Sequence, residues 1–255
     1  MIHTLASNAF RGHLRPPKNV GISPIFRANL TVDGEKLRCY VKPLTDNIDC
    51  PLTGAQVTNQ ELVNEALGYS LARSCGLSVP DVAGVILLEA EQIPAQQVSQ
   101  LQTLSRGVRQ ENYFCWFSKD MEYPNLKQHH LDGVNLKSLE QRRVRRLLKH
   151  LTECNDTPAV IAFDDWLMNS DRHVGNLLAS PDGLMLIDHG RIFHYPNWAP
   201  GGVGTMPWPS VNRLRNLIDT HVPKWSSKLP TKSAMVMAYN AFAVSFRTQQ
   251  RRCKP

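Results

Sequence analysis

Long apolar runs are missing from this 255-residue chain: the longest, Val82 to Leu88, falls far short of the roughly 20 residues that span a bilayer. Paired cysteines are missing too. Cys39, Cys50, Cys75, Cys115, Cys154 and Cys253 are scattered with no CxxC spacing, which argues against a zinc site or disulfide framework and for reduced thiols in a cytoplasmic setting. The histidines show neither i, i+4 pairing nor cysteine company, so His129, His130, His189 and His194 read as structural or surface residues. No acidic residue precedes Asp33, whereas Arg11, Arg15, Lys18 and Arg27 are basic. A transit peptide shares that bias, but Phe26 to Val32 already reads as a strand, and Met1 to His13 has no basic n-region or apolar h-region. Repeats, low-complexity tracts and a G-x-G-x-x-G phosphate loop are absent as well.

What is present suits a folded chain. Hydrophobic residues make up 42%, ample for a core, and 29 Lys and Arg against 22 Asp and Glu leave a net charge of +7. That excess suits an anionic partner without choosing among nucleotide, nucleic acid and acidic protein. Phe26, Ala28, Leu30 and Val32 alternate with polar residues, Asp33-Gly34 supplies a tight turn, and Leu37, Cys39 and Val41 resume the alternation. Period two puts Arg38, Tyr40 and Lys42 on the opposite face. A helix is expected over about 59–75, stopped by Gly76 and Pro80, then buried strands at Val82 to Leu88 and Tyr113 to Phe117. Pro94 to Asn112 reads as an irregular or helical insertion. Leu136 to Leu151 is amphipathic, and Thr157 offers an N-cap ahead of Pro158. Two short strands, Leu177 to Ala179 and Leu184 to Ile187, flank Pro181-Asp182-Gly183. Arg191 to Pro209 is a long Pro/Gly/Trp-rich loop, and two helices close the chain. Sheet first and helices later predict an α+β chain in two lobes, 1–117 and 118–255.

The chemistry concentrates in Asn169-Ser170-Asp171-Arg172-His173-Val174-Gly175-Asn176 and in Leu186-Ile187-Asp188-His189-Gly190. A helix delivers Asp171 into a loop, Asn176 enters a strand, and Asp188 leaves the returning strand. The open end of such a hairpin brings Asn176 and Asp188 together, an oxygen site suited to Mg²⁺ when a nucleotide's phosphates complete its shell. Phosphoryl transfer also needs a cation on the phosphates. Lys42 can supply it, with Glu65 on the next helix as the partner that holds it.

These residues carry a resemblance. Asp171-Arg172-His173-x-x-Asn176 with Ile187-Asp188-His189-Gly190 resembles the catalytic and metal-binding loops of HipA-like kinases and of phosphatidylinositol 3-/4-kinases. Val41-Lys42-Pro43, Asn64-Glu65-Ala66 and Gly76-Leu77-x-Val79-Pro80 are similar to the first lobe of the HipA-like group. The resemblance implies a two-lobed protein-kinase-like fold, with an antiparallel sheet and one helix in the first lobe and ATP in the cleft. By it, Asp171 is the catalytic aspartate, His173 assists the proton transfer, Asn176 and Asp188 bind Mg²⁺, and Lys42 with Glu65 holds the phosphates. The adenine hinge falls on Tyr113 to Glu122, including Phe117 and Ser118. Lys18 to Ser23 stands in for the missing glycine loop, with Ser23 facing the nucleotide. The expected acceptor is a Ser or Thr hydroxyl of a protein substrate. Lipid or small-molecule kinases share the same D-x4-N…D skeleton, and a nucleotide-binding pseudokinase acting as an interaction module is the further alternative. Arg142-Arg143-Val144-Arg145-Arg146 reads as a solvated helix face more than a nucleic-acid grip, since no aromatics interleave for stacking. Asp164 or Asp165 is placed to brace the Asp171 loop by accepting backbone N–H groups.

Overall fold

A computed structural model describes residues 1–16, 23–51, 53–131, 137–193, 196–198 and 211–252. Side chains 137–138 and 247–252 lie outside that description, as do most of the Lys18 to Ser23 segment, Gly201 to Gly204 and Trp208. The chain divides into two compact units. The first comprises Met1–Ala66, Pro80–Met121 and His194–Gly204, the second Leu67–Val79, Glu122–Phe193 and Thr205–Pro255.

The first unit is built on a six-stranded sheet. Its strands are β1 (His3–Leu5), β2 (Phe10–His13), β3 (Phe26–Val32), β4 (Glu35–Pro43), β7 (Ala83–Glu89) and β8 (Asn112–Lys119), in the order β1-β7-β8-β4-β3-β2. A small side hairpin pairs β5 (Asn47–Asp49) with β6 (Gln56–Thr58). The expected alternation holds in β3, where Phe26, Ala28, Leu30 and Val32 are all buried. Asp33 (φ 50°) and Gly34 (φ 86°) make the turn, both in the left-handed region that a two-residue hairpin requires.

Two expectations for this unit need correction. The sheet is not wholly antiparallel, because β1 runs parallel to β7, with His3 opposite Gly84. A Cβ on Gly84 would fall against the carbonyl of His3, so glycine lets this edge strand dock. Nor is there a single helix: α1 (Glu61–Ser74) begins here and continues into the second unit, and α2 (Ala95–Leu104) buries Val98 and Leu101 in the sheet's core. The stretch left open as irregular or helical is thus helical in its first half.

The second unit is mostly helical: α3 (Leu126–Leu131), α4 (Lys137–Glu153), α5 (Thr157–Trp166), α6 (Arg213–His221) and α7 (Leu229–Arg252) accompany the hairpin β9 (Leu177–Ser180) and β10 (Gly183–Leu186). The core gathers Leu147 and Leu151 of α4, Val160, Ile161 and Phe163 of α5, Leu177, Leu184 and Leu186 of the hairpin, and Phe242 of α7. Trp166 stacks on Phe242 with ring centroids 5.9 Å apart. Arg142, Arg145 and Arg146 lie on the exposed face of α4. Thr157 is not the N-cap of α5. Asp156 holds that position, with Thr157 buried as the first helical residue and Pro158 in the first turn. The Asp156 carboxylate instead accepts from Leu184 N at 3.0 Å, tying the helix start to β10. Among the described residues no helix is long and apolar enough to cross a membrane.

Candidate functional site

In the first unit, β4 carries Lys42 into a buried position opposite Trp116 of β8. Its ammonium lies 2.6 Å from Glu61 Oε1 and 2.8 Å from Glu65 Oε1, with the lysine and Glu65 side chains only 7% and 1% exposed. A buried ammonium needs such partners, since an unpaired charge there costs several kcal/mol. Glu65 was legible from the sequence; Glu61 was not, although its i, i+4 spacing from Glu65 puts both carboxylates on one face of α1. Pro196–Trp198 is pinned to the start of the same helix. Trp198 N donates to Gln60 Oε1 at 2.6 Å, Gln60 Nε2 to Trp198 O at 3.0 Å, and the Trp198 indole N–H to Asn64 Oδ1 at 2.8 Å.

Ser23 precedes β3 and is half-buried, its carbonyl accepting from Ile25 N at 2.8 Å. Phe117 and Ser118 sit inside β8, paired with Val41 and Tyr40 of β4 on one side and Gly84 and Ala83 of β7 on the other. Sheet pairing therefore uses their backbone groups, and the ladder runs on as Lys119 N donates to Val82 O and Asp120 N to Arg38 O.

In the second unit the centre of the loop is Arg172, a residue the sequence reading passed over. Its side chain is fully buried. Nε donates to both oxygens of Asp164, at 3.2 and 3.1 Å, while Nη1 donates to Asn176 O at 3.1 Å and Ile187 O at 2.5 Å. One guanidinium thus ties the backbones beside both expected metal ligands to the helix that feeds the loop. Asp164 is the brace, as expected of it or its neighbour, but it accepts from the Arg172 and Asn169 side chains instead of backbone amides. Burial pushes its carboxyl up to about 6, with the Arg172 charge and the hydrogen bonds from Arg172 and Asn169 pulling the other way. Arg172 Nη2 also lies 3.3 Å from His189 Nδ1; because arginine only donates, Nδ1 accepts and the imidazole carries its proton on Nε2. The His189 ring packs edge-on to Phe163, and Gly68 is required beside it, since any Cβ there would strike the imidazole.

Asn176 donates its amide N–H to Asp171 O at 3.1 Å and is buried. That bond directs its Oδ1 away from the nitrogen's partner, and a carbonyl oxygen is a donor that Mg²⁺ accepts. Asp188, two residues beyond β10, has φ 59°, a left-handed conformation that costs a non-glycine residue about 1 kcal/mol or more and persists where surrounding structure imposes it. The donor chemistry fits a hard divalent cation. His173 is exposed and caps the following turn, its Nδ1 accepting from Gly175 N at 3.0 Å. A Cβ on Gly175 would come within 2.8 Å of that ring, so the glycine belongs to the same cap.

Asp171 is held at both carboxylate oxygens. Arg213 Nη1, from the first residue of α6, donates to Oδ1 at 2.6 Å, and Arg191 Nε stands 3.4 Å from Oδ2. Neither arginine carried a sequence signal, because 20 and 42 residues separate them from Asp171.

No protein-family model matches the chain, and no curated protein matches it in sequence. Among solved structures, the MAP kinase LmaMPK10 from Leishmania major matches at 13% identity, over 71% of this chain and 45% of the kinase, with a TM-score of 0.28. The match thus spans less than half of that kinase. Likeness at this level is weak and carries no assignment of activity, and no comparison supports the HipA-like family in particular. The chain has a mixed α+β fold.

Proposed function

We propose that this chain is an ATP- and Mg²⁺-dependent phosphotransferase acting on Ser or Thr hydroxyls of a protein. The observation that carries this reading is the Lys42 ammonium, delivered by a sheet strand and buried against Glu65 of the following helix. Chance pairing of surface charges gives exposed, solvated contacts of little energy. A pair this deeply buried, formed between strand and helix, is the arrangement kinases use to present a lysine to phosphates. The Asp171 loop supports the reading, with Arg172 binding the Asn176 and Ile187 carbonyls so that the segments bearing Asn176 and Asp188 are fixed without help from a ligand. Such preorganisation lowers what must be ordered when a ligand binds. In this reading Lys42 holds nucleotide phosphates, Asn176 and Asp188 hold the metal, and Asp171 orients the acceptor hydroxyl and takes its proton. Bound Mg²⁺ supplies charge neutralisation on the phosphates.

The test is transfer of label from γ-labelled ATP with Mg²⁺ to a panel of protein extracts and lipids. Wild type is run beside Lys42→Ala, Asp171→Ala and Asp188→Ala. Loss of at least a hundredfold in each variant is expected. Transfer surviving in both aspartate variants would remove these residues from the reaction, and label appearing only in lipid would replace the protein acceptor.

A further inference from the structure

The geometry points to His130 and His150, with His129 beside them, as a binding site for a divalent transition-metal ion such as Zn²⁺. The site lies wholly within the second unit, between α3 and α4, and stands independently of the phosphotransfer reading. His130 Nε2 is 3.2 Å from His150 Nδ1. Two nitrogens on one tetrahedral zinc, each at about 2.0–2.1 Å, are about 3.3 Å apart. The pair therefore already has the separation of two ligands. Ring positions extend the match: centroids are 5.3 Å apart for His130 and His150, 4.6 Å for His129 and His130, and 6.5 Å for His129 and His150. Imidazoles sharing a tetrahedral ion have centroids about 5 Å apart. His129 is exposed, so turning its side chain meets little resistance and would bring in a third nitrogen.

His129 and His130 alone suggest no site; the fold supplies their partner from α4, 20 residues on. Both helices are anchored by the core, α3 through Leu126 and α4 through Leu147 and Leu151. The start of α3 is fixed as well, since Gln128 N donates to Asn125 Oδ1 at 2.8 Å and Ala179 N to Pro124 O at 2.9 Å.

A hydrogen bond between two imidazoles needs one of them to accept, so a neutral ring with a free lone pair is present. Burial, followed by His129, His150 and Arg146, pushes His130 down to about 4, so at neutral pH an ion has no proton to displace from it. On binding, the donating ring shifts its proton to its other nitrogen; both rings stay neutral and no proton is released. Arg146 opposes a cation, but it is exposed and solvent screens it. Nitrogen donors also choose the ion: imidazole suits zinc, nickel and copper, whereas Mg²⁺ takes oxygen. Water completes the coordination. The bound ion would clamp α3 onto α4, and α3 packs in turn on the Val174–Asn176 turn and on β9.

Calorimetry on the full, metal-free chain with zinc chloride, in the presence of excess Mg²⁺, tests the site. Affinity should fall at least tenfold in His130→Ala and in His150→Ala, and by a smaller factor in His129→Ala. No binding, binding abolished by the Mg²⁺, or affinity unchanged in either His130→Ala or His150→Ala overturns the inference; affinity unchanged in His129→Ala overturns the third ligand. Should the alanine variants fail to fold, His130→Gln and His150→Gln are read the same way. Amide exchange of wild type gives a second measure. Zn²⁺ should slow exchange across Leu126–Leu131 at least fivefold, and exchange unmoved there would place the ion elsewhere and overturn the site.

Discussion

Replacing Arg172 by methionine should unsettle the second unit more than any exposed substitution. The change strands the Asp164 carboxylate in a site where it is 1% exposed, keeping only its bond from Asn169, and takes the Arg172 donor from Ile187 O and one of two donors from Asn176 O. Removing one partner of a buried ion pair costs about 3–5 kcal/mol, because the other charge is left uncompensated. Against a total stability of about 5–15 kcal/mol, that is about a fifth or more. Removing both charges together, as Arg172→Met/Asp164→Leu, should cost less than the single change, about 1–3 kcal/mol for the Ile187 carbonyl that loses its donor, since Asn176 O keeps the bond from Ile187 N at 3.2 Å. Amide hydrogen exchange across Leu177–Leu186 reads the stability of this unit directly. The double variant should be protected better than Arg172→Met, a coupling that additive changes would not show. A double variant as exchange-labile as the sum of the singles would refute the ion-pair account. The pH dependence has a definite sign. The Asp164 carboxyl sits at about 6, above its ordinary value of 3.8. The folded chain therefore takes up this proton before the unfolded chain does. Its contribution to stability is full below 3.8 and is lost as pH rises through about 6, and the difference between wild type and Asp164→Asn should carry that slope between pH 4 and 6.

In the first unit, Lys42→Met should destabilise by about 3–5 kcal/mol by leaving two buried carboxylates together, while Glu65→Gln should cost less because Glu61 still pairs the ammonium; urea midpoints should fall in that order. His130 is pushed down to about 4, chiefly by burial and then by His129, His150 and Arg146. Its neutral ring contributes stability above 6.5 that is lost as pH falls through about 4, so NMR should show its ring signals unmoved between pH 7 and 5, and His130→Gln should abolish this share of acid destabilisation. Burial drives the Cys39 thiol up to about 12 and Cys115 higher still; at pH 8 both should react with a thiol reagent only as fast as the chain unfolds.

The elements legible in the sequence were those whose pattern is local. Alternation gave β3 and β4, the Asp-Gly pair gave their turn, and a stripe of leucines gave α4. Elements that depend on distant partners left no such trace. β1 is three residues long and exists because Gly84 lets it lie against β7, and no propensity in His3-Thr4-Leu5 announces that. Thr157 is a good capping residue by type, yet the preceding Asp156 takes the position because its carboxylate reaches β10. Short polar segments are decided by what they pack against.

The same division runs through the site. Asp171, Asn176 and Asp188 stood out because their residue types and spacing suit oxygen ligation, and Lys42 because strand alternation placed it on a defined face. Of what holds them, Glu65 and the Asp164 brace were legible, whereas Glu61, Arg172 and Arg213 were not. Arg172 adjoins Asp171, but its role depends on Asp164 eight residues back and Ile187 fifteen residues ahead, and on complete removal from water. Hydrogen-bonding capacity is a property of residue type, whereas burial is a property of the fold. A sequence therefore discloses which groups are able to do chemistry more readily than which groups hold them still. Arg213 makes the point most sharply: 42 residues from Asp171, it meets that carboxylate at 2.6 Å because Asn212 anchors the start of α6. Its influence on the Asp171 carboxylate is set by packing at its neighbour, and only a variant that moves α6 without touching Arg213, such as Asn212→Ala, separates position from charge. Loss of label transfer from ATP in Asn212→Ala comparable to that in Arg213→Ala would establish that the anchored position, and not the charge alone, is what the Asp171 loop requires.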